Sequence, residues 1–213
     1  MFRRLPIPLG LPSTPSFQVS NLTAAYREVD NLLAYNHIDQ ANVVEFGENM
    51  NVPSGPSTLV EKVSPRCQVY DLKYIDICGT EYLGIATGDD FQLWDSAGSR
   101  LMWSHKLSDV ISDLGIDVNP DTESVYVKGI TSPYNRKGRA GRVCVGSSIG
   151  AISVLSEEGS VVSIIPSESS SVSSVVAITA LASSERFLVS ADDQGCLYRY
   201  SCEDSFRRGG EGT

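Results

Sequence analysis

The chain has 213 residues, 41% of them hydrophobic, with a mean hydropathy of -0.07, a formal net charge of -9 at pH 7 and a pI near 4.7. This length allows one domain with a sizeable core. The acidity argues against general nucleic-acid binding, because neutralising phosphates requires a concentrated basic face. No segment approaches the ~18 consecutive apolar residues of a membrane helix, so we expect no membrane insertion.

Cysteine usage and the N-terminus indicate a reducing compartment. The five cysteines are an odd number and show no CxxC pair, which favours reduced strand residues over disulfides or a metal site. Arg3 and Arg4 are followed by four prolines that interrupt any apolar signal-peptide core. We therefore expect a cytoplasmic protein.

The N-terminal third shows weak strand patterns. Residues 1–20 are rich in proline, and we expect an arm lying over the edge of the domain. In residues 21–46, two apolar runs at 32–35 (LLAY) and 43–46 (VVEF) predict a degenerate hairpin. Residues 49–56 (NMNVPSGP) have the composition of a loop.

Three clear blades of β-structure are predicted after this hairpin. The strands of the first are 69–77, 83–87, 91–94 and 100–105. After a linker around 119–121, the strands of the second are 124–130, 142–146, 151–155 and 161–165. After a serine-rich connector at 167–174, the strands of the third are 175–181, 187–190 and 196–200. A fourth strand is not predicted there, because residues 206–213 are polar and rich in glycine and predict a flexible tail.

The same strand, tight turn, strand cassette recurs in each of these blades. Its copies are 85–95 (IATGDDFQLWD), 143–156 (VCVGSSIGAISVLS) and 188–201 (LVSADDQGCLYRYS). Tyr200 lies 45 positions after Leu155, within the period of a propeller blade. Leu155 lies 61 positions after Trp94, and a polar insertion at 131–142 (TSPYNRKGRAGR) accounts for the excess.

This period predicts an all-β fold, an incomplete WD40-like β-propeller of about three clear blades plus a degenerate N-terminal hairpin. We assign residues 1–20 to an arm, 21–205 to the partial propeller and 206–213 to the tail. A seven-bladed ring needs roughly 280 residues. The chain is therefore a truncated product, half of a ring completed by another chain, or a four-bladed propeller, and we favour truncation.

The last cassette matches the hairpin of a WD repeat. Ser190 and Ala191 occupy the Ser-Gly position, residues 193–195 form the tight turn, Leu197 points inward and Tyr200 takes the place of the tryptophan. Trp94 and Asp95 form a literal Trp-Asp ending in the first clear blade.

Taken in order, short motifs along the chain resemble the WD repeat-containing protein 54 family. They are 1–4 (MFRR) with 7–9 (IPL), 21–23 (NLT), Gln92 with Trp94, Met102 with His105, and 142–146 (RVCVG). The resemblance implies a cytoplasmic seven-bladed propeller without known catalysis, of which this chain would be the N-terminal portion. The histidine that precedes each blade of a usual WD repeat is absent, since the only histidines are His37 and His105. Blade rigidity must then depend on packing and turn chemistry.

Two carboxylate pairs are the strongest candidates for chemistry. Asp89 with Asp90 and Asp192 with Asp193 could bind a metal or act as acid and base. Both pairs lie where a hairpin must turn, and Asp is favoured there because its side chain bonds the local backbone. We therefore interpret these four residues, with Gly195, Trp94 and Asp95, as structural. We expect no catalytic residue, metal or cofactor, and the two histidines are too far apart in sequence to indicate a metal site.

One dense basic stretch stands out on this acidic chain. It comprises Tyr134, Arg136, Lys137, Arg139 and Arg142. A solvated loop is the simplest interpretation, but insertions in repeat proteins concentrate on binding faces, and a basic loop could bind an acidic partner. It joins the first and second strands of its blade, whereas the Asp pairs join the second and third, so we expect opposite rims.

We therefore predict a non-enzymatic scaffold that binds other proteins through blade rims and loops. The partners include a second copy or a chain that completes the ring, and ciliary or flagellar association is one alternative location. The alternatives in function are a propeller hydrolase or metal-dependent enzyme, and a truncated propeller fragment without independent function.

Overall fold

Four antiparallel sheets follow one another along the chain in a computed structural model, which describes residues 22–26, 31–37, 40–46, 58–60, 68–116, 125–133, 141–166, 176–202 and 207–208. Sheet 1 contains β1 (Leu22–Tyr26), β2 (Asn31–His37), β3 (Gln40–Phe46) and β4 (Thr58–Val60). Sheet 2 contains β5 (Val69–Ile77), β6 (Thr80–Thr87), β7 (Asp90–Asp95) and β8 (Leu101–Lys106), and helix α1 (Leu107–Leu114) follows it. Sheet 3 contains β9 (Val127–Thr131), β10 (Arg142–Ser147), β11 (Ile152–Ser156) and β12 (Val161–Ile165). Sheet 4 contains β13 (Ile178–Ser183), β14 (Phe187–Asp192), β15 (Leu197–Ser201) and β16 (Arg207–Arg208).

Each sheet is a four-stranded meander whose strands pair in chain order. This confirms the predicted all-β, incomplete propeller, with sheets 2, 3 and 4 at the three clear blades. Two sheets are more complete than the sequence indicated. Sheet 1 has β1 and β4 beside the predicted hairpin, and β16 supplies sheet 4 with a fourth strand by pairing with β15. The sequence did not predict these strands because β4 and β16 are only three and two residues long and β1 contains few large apolar residues.

Several predicted segments lie outside the described residues. They are the N-terminal arm at 1–20, the loop at 49–56, the linker at 119–121, the serine-rich connector at 167–174, and the tail at 206–213 apart from β16.

Successive sheets pack face to face, and each pair shares an apolar core. The first strands β1, β5, β9 and β13 also contact one another in sequence, which places them nearest the common axis. Ala34 and Val43 of sheet 1 meet Leu72 and Trp94 of sheet 2. Within the described residues, the three shared cores join sheets 1 to 2, 2 to 3 and 3 to 4, and no core joins sheet 4 to sheet 1.

The repeated bulky residue of each cassette has one structural role. Trp94, Leu155 and Tyr200 pair across the hairpin with Leu83, Val143 and Leu188. All six side chains are buried, and each pair belongs to the core shared with the preceding sheet. The cassette recurs because every sheet needs an apolar pair at this position to pack against the sheet before it.

Helix α1 is an element that the sequence analysis missed. Leu107 and Val110 are buried, and Ile111 and Leu114 pack against the core between sheets 2 and 3. This i, i+3, i+4, i+7 spacing is the helical signal that was overlooked. The helix ends at Gly115, whose φ of 62° places it in the left-handed region typical of a glycine that terminates a helix.

Candidate protein-binding surfaces

The basic stretch connects β9 to β10, but most of it lies outside the described residues. Tyr134, Arg136, Lys137 and Arg139 belong to that outer portion. Arg142 is the first residue of β10 and half-buried, and its Nη1 donates to the carbonyl oxygen of Gly141 at 3.1 Å. The Arg142 side chain is therefore partly enclosed and bonded to its own chain neighbour, which makes it a weaker candidate for binding a partner.

The two ends of the basic stretch are held together at the interface between sheets 2 and 3. Ser132 Oγ lies 2.8 Å from the carbonyl oxygen of Asp76 and 2.9 Å from that of Arg142. Pro133 and Gly141 are both buried. A Cβ at Gly141 would overlap Ile77 Cγ2 of the neighbouring sheet, so only glycine fits this close approach. The two ends of the stretch are therefore held at one place, here termed the fixed base, which Ser132, Pro133 and Gly141 form.

Asp89 and Asp90 lie at the opposite ends of the strands, in the turn between β6 and β7. Thr87 Oγ1 accepts the backbone N–H groups of Asp89 and Asp90, and its hydroxyl lies 2.6 Å from Asp90 Oδ1. Gln92 Nε2 donates to both carboxylate oxygens of Asp90 at 3.2 Å. Trp94 Nε1 in turn donates to Gln92 Oε1 at 3.0 Å.

This buried chain of hydrogen bonds runs from the turn to the inter-sheet anchor Trp94. It links three polar side chains that would otherwise be costly to bury, because an unpaired polar group loses its hydrogen bonds to water. In sheet 2 the chain stiffens the hairpin without the histidine of a usual WD repeat, and it uses the carboxylate of Asp90 structurally.

Asp192 and Asp193 occupy the equivalent turn of sheet 4, between β14 and β15. Asp192 is buried, and its Oδ1 accepts the backbone N–H groups of Gln194 and Cys196 at 3.0 and 2.8 Å. Gly195 has a φ of 82°, which this turn requires. The backbone N–H of Asp193 donates to the carbonyl oxygen of Ala177 at 3.0 Å. Sheet 3 separates this turn from the one at Asp89, so the two carboxylate pairs do not form one site.

Asp95 caps the turn at the other end of β7. Its carboxylate accepts the backbone N–H groups of Ser99 and Arg100 and the Ser99 hydroxyl, at 2.7, 3.1 and 2.6 Å. Partial burial alone would raise the pKa of Asp95, but these hydrogen bonds, first that of the Ser99 side chain, lower it below its usual value.

No group of three or more His, Cys, Asp or Glu in the described part of the chain could hold a metal ion. His105 is buried in sheet 2, and its Nε2 has no hydrogen-bond partner among the residues that the structure describes. Burial lowers the pKa of His105, although Asp109 and Asp113 act in the opposite direction. No helix in the described ranges is long and apolar enough to span a membrane.

Asp71 is a buried carboxylate that the sequence analysis did not single out. Its Oδ2 accepts the backbone N–H of Gly129 at 3.1 Å, which links sheet 2 to sheet 3. Burial raises the pKa of Asp71 to about 6, against the effect of that hydrogen bond. β5 (VYDLKYIDI) also contains Lys73 and Asp76, so the presence of a charged residue did not distinguish Asp71.

In sheet 4, the face turned away from the preceding sheet is exposed, whereas the equivalent faces of sheets 2 and 3 are buried. The expectation that Leu197 points inward is wrong, because Leu197 is 74% exposed. Its counterparts in the register of the hairpin are Phe91 in sheet 2 and Ile152 in sheet 3, at 0% and 1% exposure. Those two are covered by the next sheet, and within the described residues no sheet follows sheet 4.

Comparisons with known proteins were made by sequence and by structure. No protein-family model matches the chain, and no curated protein matches it. A chain of a mitotic checkpoint complex crystal structure matches with a TM-score of 0.55 and 14% identity, over 96% of this chain. This chain spans 58% of the length of that one. The computationally designed Ika4 protein matches with a TM-score of 0.54 and 11% identity, over 92% of this chain and 99% of the design.

These likenesses concern the fold alone, because the sequence identities are low. The matching part of the mitotic checkpoint complex is a β-propeller, and the four successive sheets described above have the same architecture. Sheet layout and structural similarity together establish that this chain has a β-propeller fold.

Proposed function

We propose that this chain is a non-enzymatic β-propeller scaffold in the cytoplasm that binds other proteins through its blade rims and loops. The resemblance to the WD repeat-containing protein 54 family belongs to the same proposal. The observation that carries it is the fixed base of the basic stretch, where Ser132, Pro133 and Gly141 lie in the interface between sheets 2 and 3.

Further contacts hold sheets 2 and 3 together beside that base and beyond it. Trp103 of sheet 2 donates from Nε1 to the carbonyl oxygen of Glu157 in sheet 3 at 2.9 Å. At the opposite end of the same interface, the rings of Tyr70 and Tyr126 stack with centroids 4.4 Å apart. A loop whose two ends are fixed loses less conformational entropy on binding than a free segment of the same length.

Charge favours an acidic protein as the partner. The stretch carries Arg136, Lys137 and Arg139 on a chain whose formal net charge is -9. Such a local positive patch attracts acidic surfaces, and the attraction weakens as salt screens it. The structural uses of Asp90 and Asp192 support a binding role over a carboxylate-dependent reaction.

The proposal is tested with a variant in which Arg136, Lys137 and Arg139 are replaced by Ser. The full chain is used as bait, captured proteins are quantified by mass spectrometry, and capture is repeated in higher salt. We expect the variant to lose the proteins whose capture by the wild type is salt-sensitive. Retention of all of them would contradict a binding role for this stretch.

A matched control separates local from global charge. Arg100, Lys106 and Arg186 are exposed cations in sheets 2 and 4, and replacing them by Ser changes the net charge by the same amount. We expect this control to retain the captured proteins. The control should melt at the temperature of the wild type, since its three side chains are exposed. We expect the same of the test variant, and its melting temperature is measured alongside.

A further inference from the structure

His105 is a buried histidine in a place that suits only its neutral form. It lies directly opposite Phe91 in β7, so its side chain is on the face of sheet 2 that is turned toward sheet 3. The side chain is 9% exposed, and Nε2 has no hydrogen-bond partner among the described residues. A charged imidazole carries an N–H on both ring nitrogens. Protonation would therefore bury a charge and an unpaired donor, which is costly.

Helix α1 begins two residues after His105 and packs on the same core. Leu107 and Val110 are buried there together with Phe91, and Ile111 and Leu114 pack against the same cluster. The helix also contacts β8, the strand that contains His105. The imidazole and α1 therefore lie at one edge of the core between sheets 2 and 3.

The packing of its apolar side chains is what holds α1 in place. The helix has eight residues, and isolated helices of this length are unstable in water. Its N-cap residue, Lys106, makes no side-chain capping bond, and the Leu107 N–H donates to the carbonyl oxygen of Asp89 at 2.9 Å. An element with so few attachments can open locally while the four sheets stay folded.

The charges around His105 act in both directions, and burial has the larger effect. Burial lowers the pKa of His105, whereas the carboxylates of Asp109 and Asp113 in α1 favour the charged imidazole. Lys106, the next residue of β8, is exposed, and the carboxylate of Asp90 in β7 is bonded to Gln92 and Thr87.

Sheet 3 brings no opposite charge to this core. Its contribution consists of apolar side chains, among them Val145 and Ile149. Within the described residues, the two carboxylates of α1 are therefore the groups that oppose burial, and both are exposed to water, which weakens their effect.

We propose that α1 is an acid-released cover, which leaves the core between sheets 2 and 3 when His105 takes up a proton. In the released state the imidazolium reaches water, and the four sheets remain folded. This conformational device is independent of the proposed scaffold function.

The direction of the pH dependence follows from the two states of His105. While α1 is docked, the pKa of His105 lies below its ordinary value of 6.5, and release returns it toward that value. The released state therefore binds more protons as the pH falls through 6.5. Docking of α1 is strongest above this pH and weakens below it.

The test is hydrogen–deuterium exchange of the full chain, measured by mass spectrometry at about pH 7 and about pH 5. Exchange rates are corrected for the intrinsic rate at each pH. We expect the protection of the amides of α1 to fall severalfold at the lower pH. The amides of β10 and β11, in the adjoining sheet, should keep their protection and serve as the internal control.

Two variants separate the titration of His105 from other effects of acid. His105→Gln cannot take up the proton, so protection of α1 should no longer depend on pH. Asp113→Asn removes a carboxylate that favours the charged imidazole, so the fall in protection between the two pH values should become larger. Asp113 lies in the last turn of α1, where a negative charge opposes the helix dipole, so this variant should keep its protection at pH 7.

Three results would overturn the inference. They are wild-type protection of α1 that does not change with pH, a fall that β10 and β11 share to the same extent, and a pH dependence that His105→Gln leaves intact. If His105→Gln does not fold, as circular dichroism would show, the Asp113→Asn variant decides: a fall in protection no larger than that of the wild type contradicts the inference.

Discussion

Sheet 2 has one face covered by sheet 3, and sheet 4 has an equivalent face, here termed the open face, that is turned away from sheet 3. The two faces follow the same strand pattern but have opposite environments. Phe91 and Leu197 hold equivalent positions in their hairpins, yet their exposures are 0% and 74%. The strand alternation is the same in both sheets. What differs is the presence of a following sheet, so the burial of a blade residue depends on its neighbour as much as on its own strand.

Truncating Phe91 is expected to have the largest effect. Phe91→Ala removes a fully buried ring from the core between sheets 2 and 3, where it contacts Trp103 at a centroid separation of 5.6 Å. The free energy of unfolding should fall by about 3–5 kcal/mol. Chemical denaturation followed by circular dichroism measures it. A loss as small as that of an exposed residue would contradict the assigned interface.

Asp71→Asn tests the same interface through its pH dependence. Because the folded-state pKa of Asp71 is about 6 and its ordinary value is 3.8, the folded chain binds the additional proton between these values. The wild type should therefore lose stability as pH rises from about 4 to about 6. The variant keeps the acceptor for the Gly129 N–H without the charge. At pH 7 it should be more stable than the wild type, by up to about 3 kcal/mol.

Denaturation of both proteins at pH 4 and pH 7 measures this difference, which should nearly vanish at pH 4. Asp95→Asn is the control with the opposite sign, because the pKa of Asp95 is lowered and its carboxylate stabilises the fold above the ordinary value. A destabilised Asp71→Asn variant at pH 7 would contradict the buried placement of Asp71.

Enlarging a side chain should be costly at the interface between sheets 3 and 4 and tolerated on the exposed face of sheet 4, because only the exposed face has free space. A Cβ at Gly146 would lie 2.5 Å from Ile178 Cγ2 and 2.6 Å from the carbonyl oxygen of Lys128, at the interface between sheets 3 and 4. Gly146→Ala should therefore cost about 1–3 kcal/mol of stability. Ala182→Leu, which enlarges an exposed residue of sheet 4, should cost little. Thermal melts of the two variants measure this difference. Equal losses of stability would contradict the assignment of Gly146 to a packed interface and Ala182 to an exposed face.

Truncation at the open face itself should have the smallest effect. Leu197→Ala removes a side chain that is already in water, so stability should change by no more than about 0.5 kcal/mol. The same denaturation assay applies. A loss approaching that of Phe91→Ala would show that the chain covers this face.

The cassettes allowed much of the fold to be predicted, because turn residues and alternating apolar residues are local signals. The hairpins β6–β7, β10–β11 and β14–β15 lie where the repeat placed them. β4 and β16 were missed because a strand of two or three residues has too short a pattern to recognise. Helix α1 was missed because its apolar spacing lies between two repeats and resembles neither.

The candidate surfaces were less accessible to sequence reasoning. Alternation assigns Leu197 to a face, but which face has a neighbour depends on the whole arrangement of sheets. The roles of Ser132, Gly141 and Asp71 depend on contacts with another sheet, which no local pattern contains. The basic stretch was recognisable from composition alone, and its binding role stays a prediction.

The exposure of one face of sheet 4 is tested most directly by hydroxyl-radical footprinting of the wild-type chain, with modification rates measured by mass spectrometry for single residues. If the fourth sheet has one uncovered face, Leu197 and Phe187 are modified rapidly, whereas Phe91 and Ile152 are protected. Protection of Leu197 equal to that of Ile152 would show that the face is covered and would contradict the account.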